Sequence, residues 1–294
     1  MVGGTGFIGF HLSQKCIKKK NWQVTSLSTK KPRSERKISK VKYIICDIFS
    51  KKEINKKLSK SNFDYVINLG GYVDHSHKKK VYNSHYLGCK NLADFFIRKN
   101  ITSFVQMGTG LEYGNSLKPH KENIKCKPRS VYALSKYKAT LYLLNLYQKK
   151  KFPATILRLY QTYGPNQDYN RLIPYLIINS LKNKKFNCTD GRQIRDFIYI
   201  EDLTELILKV FENTKTKGQI LNIGSGYPIK IKDIINKIVL ICKKGKPIFG
   251  GIKMRKDESL KMCPDIKKIK KILNFKNNYS IGAGLKKTIS YYVK

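Results

Sequence analysis

The chain predicts an α/β fold in which a doubly wound parallel sheet, its first strand truncated, is followed by a smaller mixed α/β lobe. Three observations predict it. A glycine-rich turn at the start, Gly3-Gly-Thr-Gly6-Phe-Ile-Gly9, runs straight into an amphipathic stretch. Short β-like runs then alternate with helix-length segments through the first two-thirds of the chain, as strands joined by helical crossovers do. Beyond Gly164-Pro165 the alternation becomes mixed.

The turn is the first element. Spaced glycines let bare backbone approach a pyrophosphate, whose charge is held by amide hydrogens at the positive end of the following helix. Gly3, Gly6, Phe7, Ile8 and Gly9 are the candidate contacts to a dinucleotide. Such a loop is informative only between a strand and a helix, and here Met1 and Val2 alone stand before it. A strand buried on both faces should be costlier to lose than the ~5–15 kcal/mol of stability a domain has, so the expectation is a true start upstream of Met1.

Strands are then expected at 23–28, 41–46, 65–69, 104–107 and 154–159, with helices at 51–60, 78–99 and 131–150 between them. The later part reads as a helix at 171–182, a strand at 196–200, a helix from Asp202, a strand at 219–223, and helices at 231–243, 265–273 and 281–292. This divides the chain into a dinucleotide-binding unit, 1–164, and a substrate lobe, 165–294, interleaved with the sheet around 196–223.

At 294 residues and 41% hydrophobic content the chain can bury a sizeable core. No apolar run approaches the roughly 20 residues of a membrane span, and no signal-peptide layout is present, so a cytoplasmic protein with no membrane partner is expected. Lys and Arg number 60 against 19 Asp and Glu, a formal charge of +41. The lysines are spread over every helix among Asn, Ile and Tyr, as an A+T-rich coding sequence would give, so no specific nucleic-acid partner is expected. Seven scattered cysteines suggest neither disulfides nor zinc. His75 and His77 have no ligand partners at metal-site spacing and read as part of a solvent-facing loop, with no metal.

Ligands of open α/β sheets bind beyond the carboxyl ends of the strands. Leu69, Gly70 and Gly71 follow one predicted strand, where backbone can lie against a cofactor. Gly108-Thr109-Gly110 follows the next, and Tyr132 and Lys136 open a helix some way on. Residues four apart share a helix face, and an ammonium beside a phenol lowers its pKa from ~10. Tyr132 is then a usable acid/base near neutrality. The same spacing occurs at Tyr86/Lys90 and Tyr147/Lys151, but only Tyr132 follows a strand-end hydroxyl and a Pro128-Arg129-Ser130 helix entry.

With Arg158-Leu-Tyr-Gln-Thr-Tyr-Gly-Pro165, Asn170-Arg-Leu-Ile-Pro174, Arg195-Asp-Phe-Ile-Tyr-Ile-Glu-Asp202 and Leu221-Asn-Ile-Gly-Ser-Gly226 added in order and spacing, the chain resembles the extended short-chain dehydrogenase/reductases, which have a Rossmann sheet. More narrowly it resembles the NAD-dependent epimerase/dehydratase family of nucleotide-sugar enzymes. The resemblance implies Tyr132 as acid/base on the sugar, Lys136 on the nicotinamide ribose, and Thr109 on the reacting oxygen, with hydride moving at sugar C4. It implies adenine contacts from Asp47 and Ile48, and nucleotide-sugar contacts from Gln161, Asn170, Arg195 and Arg255. For Asp47 and Asp202, helix capping is the plainer alternative. It also implies a homodimer through the 78–99 and 131–150 helices.

Departures from the family pattern narrow the activity. Dehydratases carry Asp-Glu directly after the catalytic Thr, where this chain has Gly110-Leu111; Glu112 comes one position late and should point the other way. Ser28, with Lys30 close behind, stands where the family usually has an acidic residue on the adenosine ribose. Hydroxyls and cations hold a 2′-phosphate that a carboxylate would repel, which favours NADP over NAD. The expectation is therefore an NADPH-dependent reductase of a nucleotide 4-keto-6-deoxyhexose, akin to CDP-abequose and CDP-paratose synthases of surface-polysaccharide precursors. A 4-epimerase is the alternative; a non-catalytic dinucleotide-binding protein is the alternative of a different class. His85 stands where an Asn usually supports the lysine through water, and Gln161 also replaces an Asn.

Overall fold

In the computed structural model, which describes residues 1–255 and 258–293, the glycine turn opens α1 (Phe7–Cys16). The chain continues through β1 (Val24–Ser28), β2 (Val41–Ile45), α2 (Lys51–Leu58) and β3 (Tyr65–Asn68). Then come α3 (Lys78–Tyr82), a π-helical turn (Asn83–Leu87), α4 (Gly88–Phe96), β4 (Ser103–Thr109), α5 (Val131–Lys150) and β5 (Ala154–Leu159). Beyond lie β6 (Gln161–Tyr163), α6 (Leu172–Leu181), β7 (Lys185–Asn187), β8 (Ile194–Tyr199), α7 (Ile200–Glu212) and β9 (Ile220–Ile223). The last elements are β10 (Pro228–Lys230), α8 (Ile231–Cys242), β11 (Lys246–Ile248), β12 (Lys261–Met262), α9 (Lys267–Leu273) and α10 (Ile281–Val293).

β1 pairs with β2, and β3, β4, β5 and β9 pair in that order, all parallel. Val2 joins the two groups. Its N–H donates to Ile67 O at 2.8 Å and its carbonyl accepts from Leu69 N at 3.0 Å, while Gly3 N donates to Leu27 O and Leu27 N to Met1 O, both at 2.8 Å. The first strand is truncated as expected, yet the sheet is continuous: Met1, Val2 and Gly3 supply the ladder rungs that hold β1 and β3 side by side. Because they end at Gly3, the phosphate loop stands at the strand ends, as the fold requires.

Side chains of a strand alternate between faces, and here each face has its own core. Ile67, Val105, Met107 and Leu157 pack with Phe7 and Leu12 of α1 and with α7. Val66, Phe104, Ala154 and Ile156 pack with Ile54, Leu92 and Leu143 of α2, α4 and α5. A run buried on both sides reads as continuous apolar sequence, which is why these strands were legible.

The expected 78–99 helix ends at Phe96 and is interrupted by the π turn. β8 forms a second sheet with β10, β12 and β6, and β7 pairs with β11; apart from β8 these strands are two or three residues long, too short to show a two-residue period. Asp202 is not a helix cap: it lies inside the first turn of α7 and accepts the N–H groups of Asn278 and Tyr279 at 2.9 and 3.2 Å. Among the described residues no helix is long and apolar enough to cross a membrane.

Candidate active site

A cleft of about 480 Å³ runs along the strand ends from Val2, Gly3 and Gly6 past Ser28 and Asp47 to Gly70, Tyr72 and Ser84. Gly3 has φ +77°, and a Cβ there would lie 2.9 Å from the backbone nitrogen of Gly70. A Cβ on Gly9 would strike Gly3 and Gly4. The loop is therefore folded tightly enough to bare its own backbone to the cleft. α1 has neither a side-chain cap nor an acidic residue in its first turn, so its leading N–H groups, from Phe7 and Ile8 onward, are open to an anion. These residues fit a dinucleotide pyrophosphate.

At the ribose end, Thr5 Oγ1 donates to Ser28 Oγ at 3.0 Å and Ser28 Oγ donates to Leu27 O at 2.8 Å. Lys30 is exposed just beyond. The guanidinium groups of Arg33 and Arg36 reach Asp168, at 3.2 and 3.0 Å; Arg36 is buried there, while Arg33 and the loop's lysines remain exposed. Asp47 caps no helix, since Ser50 caps α2; its carboxylate accepts from Phe49 N at 2.9 Å and, with Ile48, lines the cleft.

The structure brings Thr109, Tyr132 and Lys136 together. Ser130 Oγ caps α5 by accepting from Ala133 N at 3.2 Å, which starts the helix beside the end of β4. The Thr109 hydroxyl stands beside the Tyr132 phenol and favours its phenolate. Lys136 is buried, and its ammonium donates to Met107 O at 2.7 Å. Burial lowers the Lys136 pKa from 10.5 to about 8. For Tyr132 the sequence expectation is overturned: desolvation of the phenolate raises its pKa to about 12, against the opposing influence of Thr109, while the Lys136 ammonium does not offset the burial. The reason is geometric, since the ammonium is turned to the strand carbonyl.

Two histidines hold the Tyr132 ring. The His75 imidazole lies against one face, centroids 4.4 Å apart and planes 20° from parallel. His75 is exposed to solvent, as its place in a solvent-facing loop implies, and the loop that carries it lies over the site. His85, in the π turn, meets Tyr132 edge-on at 4.9 Å. Its Nε2 donates to Tyr72 O at 3.1 Å, Ser84 Oγ accepts from Tyr72 N at 2.9 Å, and Nδ1 is buried without a partner among the described residues. Burial, then the charge of Lys136, lowers the His85 pKa to about 3, so the ring is neutral and the donor to the carbonyl must be Nε2–H.

The candidate substrate residues are more dispersed. Gln161 and Asn170 are exposed, and neither lines the cleft described above. Arg195 is buried and paired with Glu258 at 2.8 Å, and Arg255 is exposed. Sequence reasoning did not single out Arg171, whose charge is felt by both Tyr132 and His75. Its position between Asn170 and a helix start was the available signal. Among the described residues no cluster of His, Cys, Asp and Glu could hold a metal.

Residues 1–224 match the sequence model of the NAD dependent epimerase/dehydratase family. A Methanocaldococcus jannaschii protein that carries the provisional name UDP-glucose 4-epimerase is 28% identical over 99% of this chain and 97% of its own. The CDP-abequose synthase of Salmonella muenchen is 31% identical over 46% of each chain. In structure the chain is similar to the UDP-glucose 4-epimerase of Thermotoga maritima solved with UDP-glucose, with TM-score 0.93 at 23% identity, covering 99% of this chain and 97% of that one.

Proposed function

Because the chain belongs to the NAD dependent epimerase/dehydratase family, we propose that it is an enzyme that reduces a nucleotide-activated 4-keto-6-deoxyhexose to the 4-hydroxy sugar. The observation that carries this is the Thr109–Tyr132 pair beside an apolar neighbour. Leu111 stands where an elimination would need an acid, and the carboxylate of the next residue, Glu112, is fully buried. Proton transfer to one oxygen is what such a site can do; removing water from adjacent carbons is not.

When bound, the dinucleotide supplies the hydride that adds to sugar C4. Tyr132, protonated throughout the neutral range by its raised pKa, gives its proton to the oxygen that was the ketone, and the hydroxyl of Thr109 donates to the same oxygen as charge develops. The phenolate left behind is reprotonated from solvent, so each turnover consumes one hydride and one proton. Lys136 supplies a nearby positive charge. The hydroxyls of Thr5 and Ser28, with Lys30 beyond them, suit a ribose 2′-phosphate better than a carboxylate would, which supports NADPH as the donor. Asn170, Arg195 and Arg255 would meet the nucleotide diphosphate.

A 4-epimerase is the second reading, favoured by the full-length likeness to proteins of that name. A homodimer through α3 to α5 is also proposed, because Leu134 and Leu141, two turns apart on α5, are exposed on one face; sedimentation of Leu141→Glu against the wild type tests it. The reaction is tested by NADPH and NADH oxidation against CDP- and dTDP-4-keto-6-deoxyglucose, with Tyr132→Phe as control. Oxidation lost in the variant supports the reductase. UDP- or dTDP-hexose interconversion with no net oxidation replaces it by the epimerase.

A further inference from the structure

We propose that Glu112 and Arg158 are positioning residues for the reaction, a buried ion pair that locks the strand end carrying Thr109 to the helix carrying Tyr132 and Lys136. The proposal rests on the reading above that Thr109 and Tyr132 do the chemistry. Glu112 is 0% exposed and Arg158 1%. Arg158 reaches one carboxylate oxygen of Glu112 with Nη2 at 2.8 Å and Nε at 2.9 Å. Burying such a pair is a poor route to stability, because desolvating two charges offsets their attraction, and apolar replacements are often neutral or better. What the pair does is therefore to be read from what it holds.

It holds three elements. Glu112 Oε1 accepts from the backbone N–H of Thr109 at 2.9 Å, at the end of β4. Its Oε2 accepts from Thr140 Oγ1 at 2.9 Å, on α5, one turn beyond Lys136 and two beyond Tyr132 on the same face. Arg158 belongs to β5, where it is in register with Gly108. One carboxylate thus fixes the spacing between the hydroxyl of Thr109 and the phenol of Tyr132. Meanwhile Thr109 Oγ1 accepts from Leu111 N at 3.3 Å, which leaves its proton for an outward acceptor.

The flanking glycines fit this arrangement. A Cβ on Gly108 would stand 2.6 Å from Glu112 Oε1, and one on Gly110 would stand 2.7 Å from the Tyr160 ring. The Arg158 guanidinium lies over the Tyr113 ring at 4.3 Å, and Tyr113 is tied to Asn222 at 2.8 Å, so the cation is itself held in place. The charge of Glu112 reaches the site, where it favours the protonated phenol of Tyr132 and the ammonium of Lys136.

The test compares the full-length wild type with two charge-neutral doubles. E112L/R158M fills the space with apolar side chains and removes the acceptor for Thr109; E112Q/R158M keeps an acceptor. The expected result is a 10- to 100-fold lower kcat in E112L/R158M, with KM for the nucleotide sugar and Kd for the reduced cofactor within about twofold, the scale on which misplaced groups lose rate. E112Q/R158M should recover most of the loss. Deuterium exchange should quicken at residues 108–113 in the Leu double alone, with unchanged global Tm. Wild-type kcat in a folded E112L/R158M, a Gln double as slow as the Leu double, or losses shared equally by KM and Kd would each overturn the proposal. If the wild type transforms no nucleotide sugar, the function reading fails separately, and the exchange pattern still decides whether the pair holds Thr109: unchanged exchange at 108–113 overturns it.

Discussion

The imidazole of His75 lies flat on the phenol of Tyr132, 4.4 Å between ring centroids, although the two residues belong to different loops and helices. Burial, then the charge of Arg171, lowers the His75 pKa below its usual 6.5, so the stack is between two neutral rings at neutral pH. Such contacts contribute about 0.5–1.5 kcal/mol. His75→Ala should therefore slow turnover about two- to tenfold, by letting the phenol turn away from Thr109, with cofactor affinity unchanged. His75→Phe keeps the stack and should keep the rate. Steady-state kinetics of the two variants checks this; a Phe variant as slow as the Ala variant would mean that the imidazole carries a proton.

His85 makes stability depend on acid. Its folded pKa, about 3, lies below the ordinary 6.5, so the unfolded chain binds the extra proton between those values. Stability is present in full above pH 6.5 and is lost as pH falls toward 3. His120, buried and lowered to about 4, acts the same way, while the raised carboxyls of Asp196 and Asp202 act oppositely. Thermal melts between pH 7 and 4 should show Tm falling for the wild type and falling less for His85→Asn. The Asn amide can still donate to Tyr72 O, so its activity should stay within about tenfold. An identical slope in both proteins would refute the assignment.

Much of this site is legible in the amino-acid sequence, and the reasons are local. β4 is buried along its whole length, so its apolar run stands out, and Ser130 marks the start of α5 in the sequence. The phosphate loop is legible because glycine adopts φ +77° without the strain a Cβ would bring and permits the close approach at Gly9. Glu112, one residue out of register with the acidic pair of dehydratases, could be seen to turn away from the site. That it turns onto Arg158, 46 residues on, could not be seen, because the pairing is made by strand order. The same holds for His75 on Tyr132, and for the Tyr132 pKa, whose sign depends on how much solvent the folded chain removes.

Lys136 should trade stability for function. A buried ammonium whose pKa falls from 10.5 to about 8 carries a desolvation cost below pH 8, relieved as pH rises between 8 and 10.5, where the unfolded chain binds the proton and the folded chain does not. At about 1.4 kcal/mol per pH unit the cost at pH 7 is about 3 kcal/mol, less what Met107 O loses with its donor. Lys136→Met should then be more stable than the wild type by about 1–3 kcal/mol at pH 7 and equal to it near pH 10, while activity drops by about 100-fold or more. Urea melts at the two pH values measure the first claim. A less stable variant at pH 7 would show that the hydrogen bond to Met107 outweighs the buried charge.

Ser28 should set the choice of cofactor. Its hydroxyl accepts from Thr5 Oγ1 at 3.0 Å at the edge of the cleft where the adenosine ribose would lie, and no acidic side chain other than the exposed Asp47 lines that cleft among the described residues. A carboxylate at position 28 would accept hydrogen bonds from the 2′- and 3′-hydroxyls of NADH but repel the 2′-phosphate of NADPH. Charge-assisted bonds of this kind are worth about 1.5–3 kcal/mol, or roughly 10- to 100-fold in a binding ratio. Ser28→Asp should therefore raise the ratio of Kd for NADPH to Kd for NADH by that factor, with Lys30→Ala moving it the same way by less. Fluorescence titration of the two reduced cofactors reads the ratio without needing the sugar substrate. A wild type that already prefers NADH tenfold, with Ser28→Asp unchanged, would place the selecting contact elsewhere, with Asp47 the next residue to substitute.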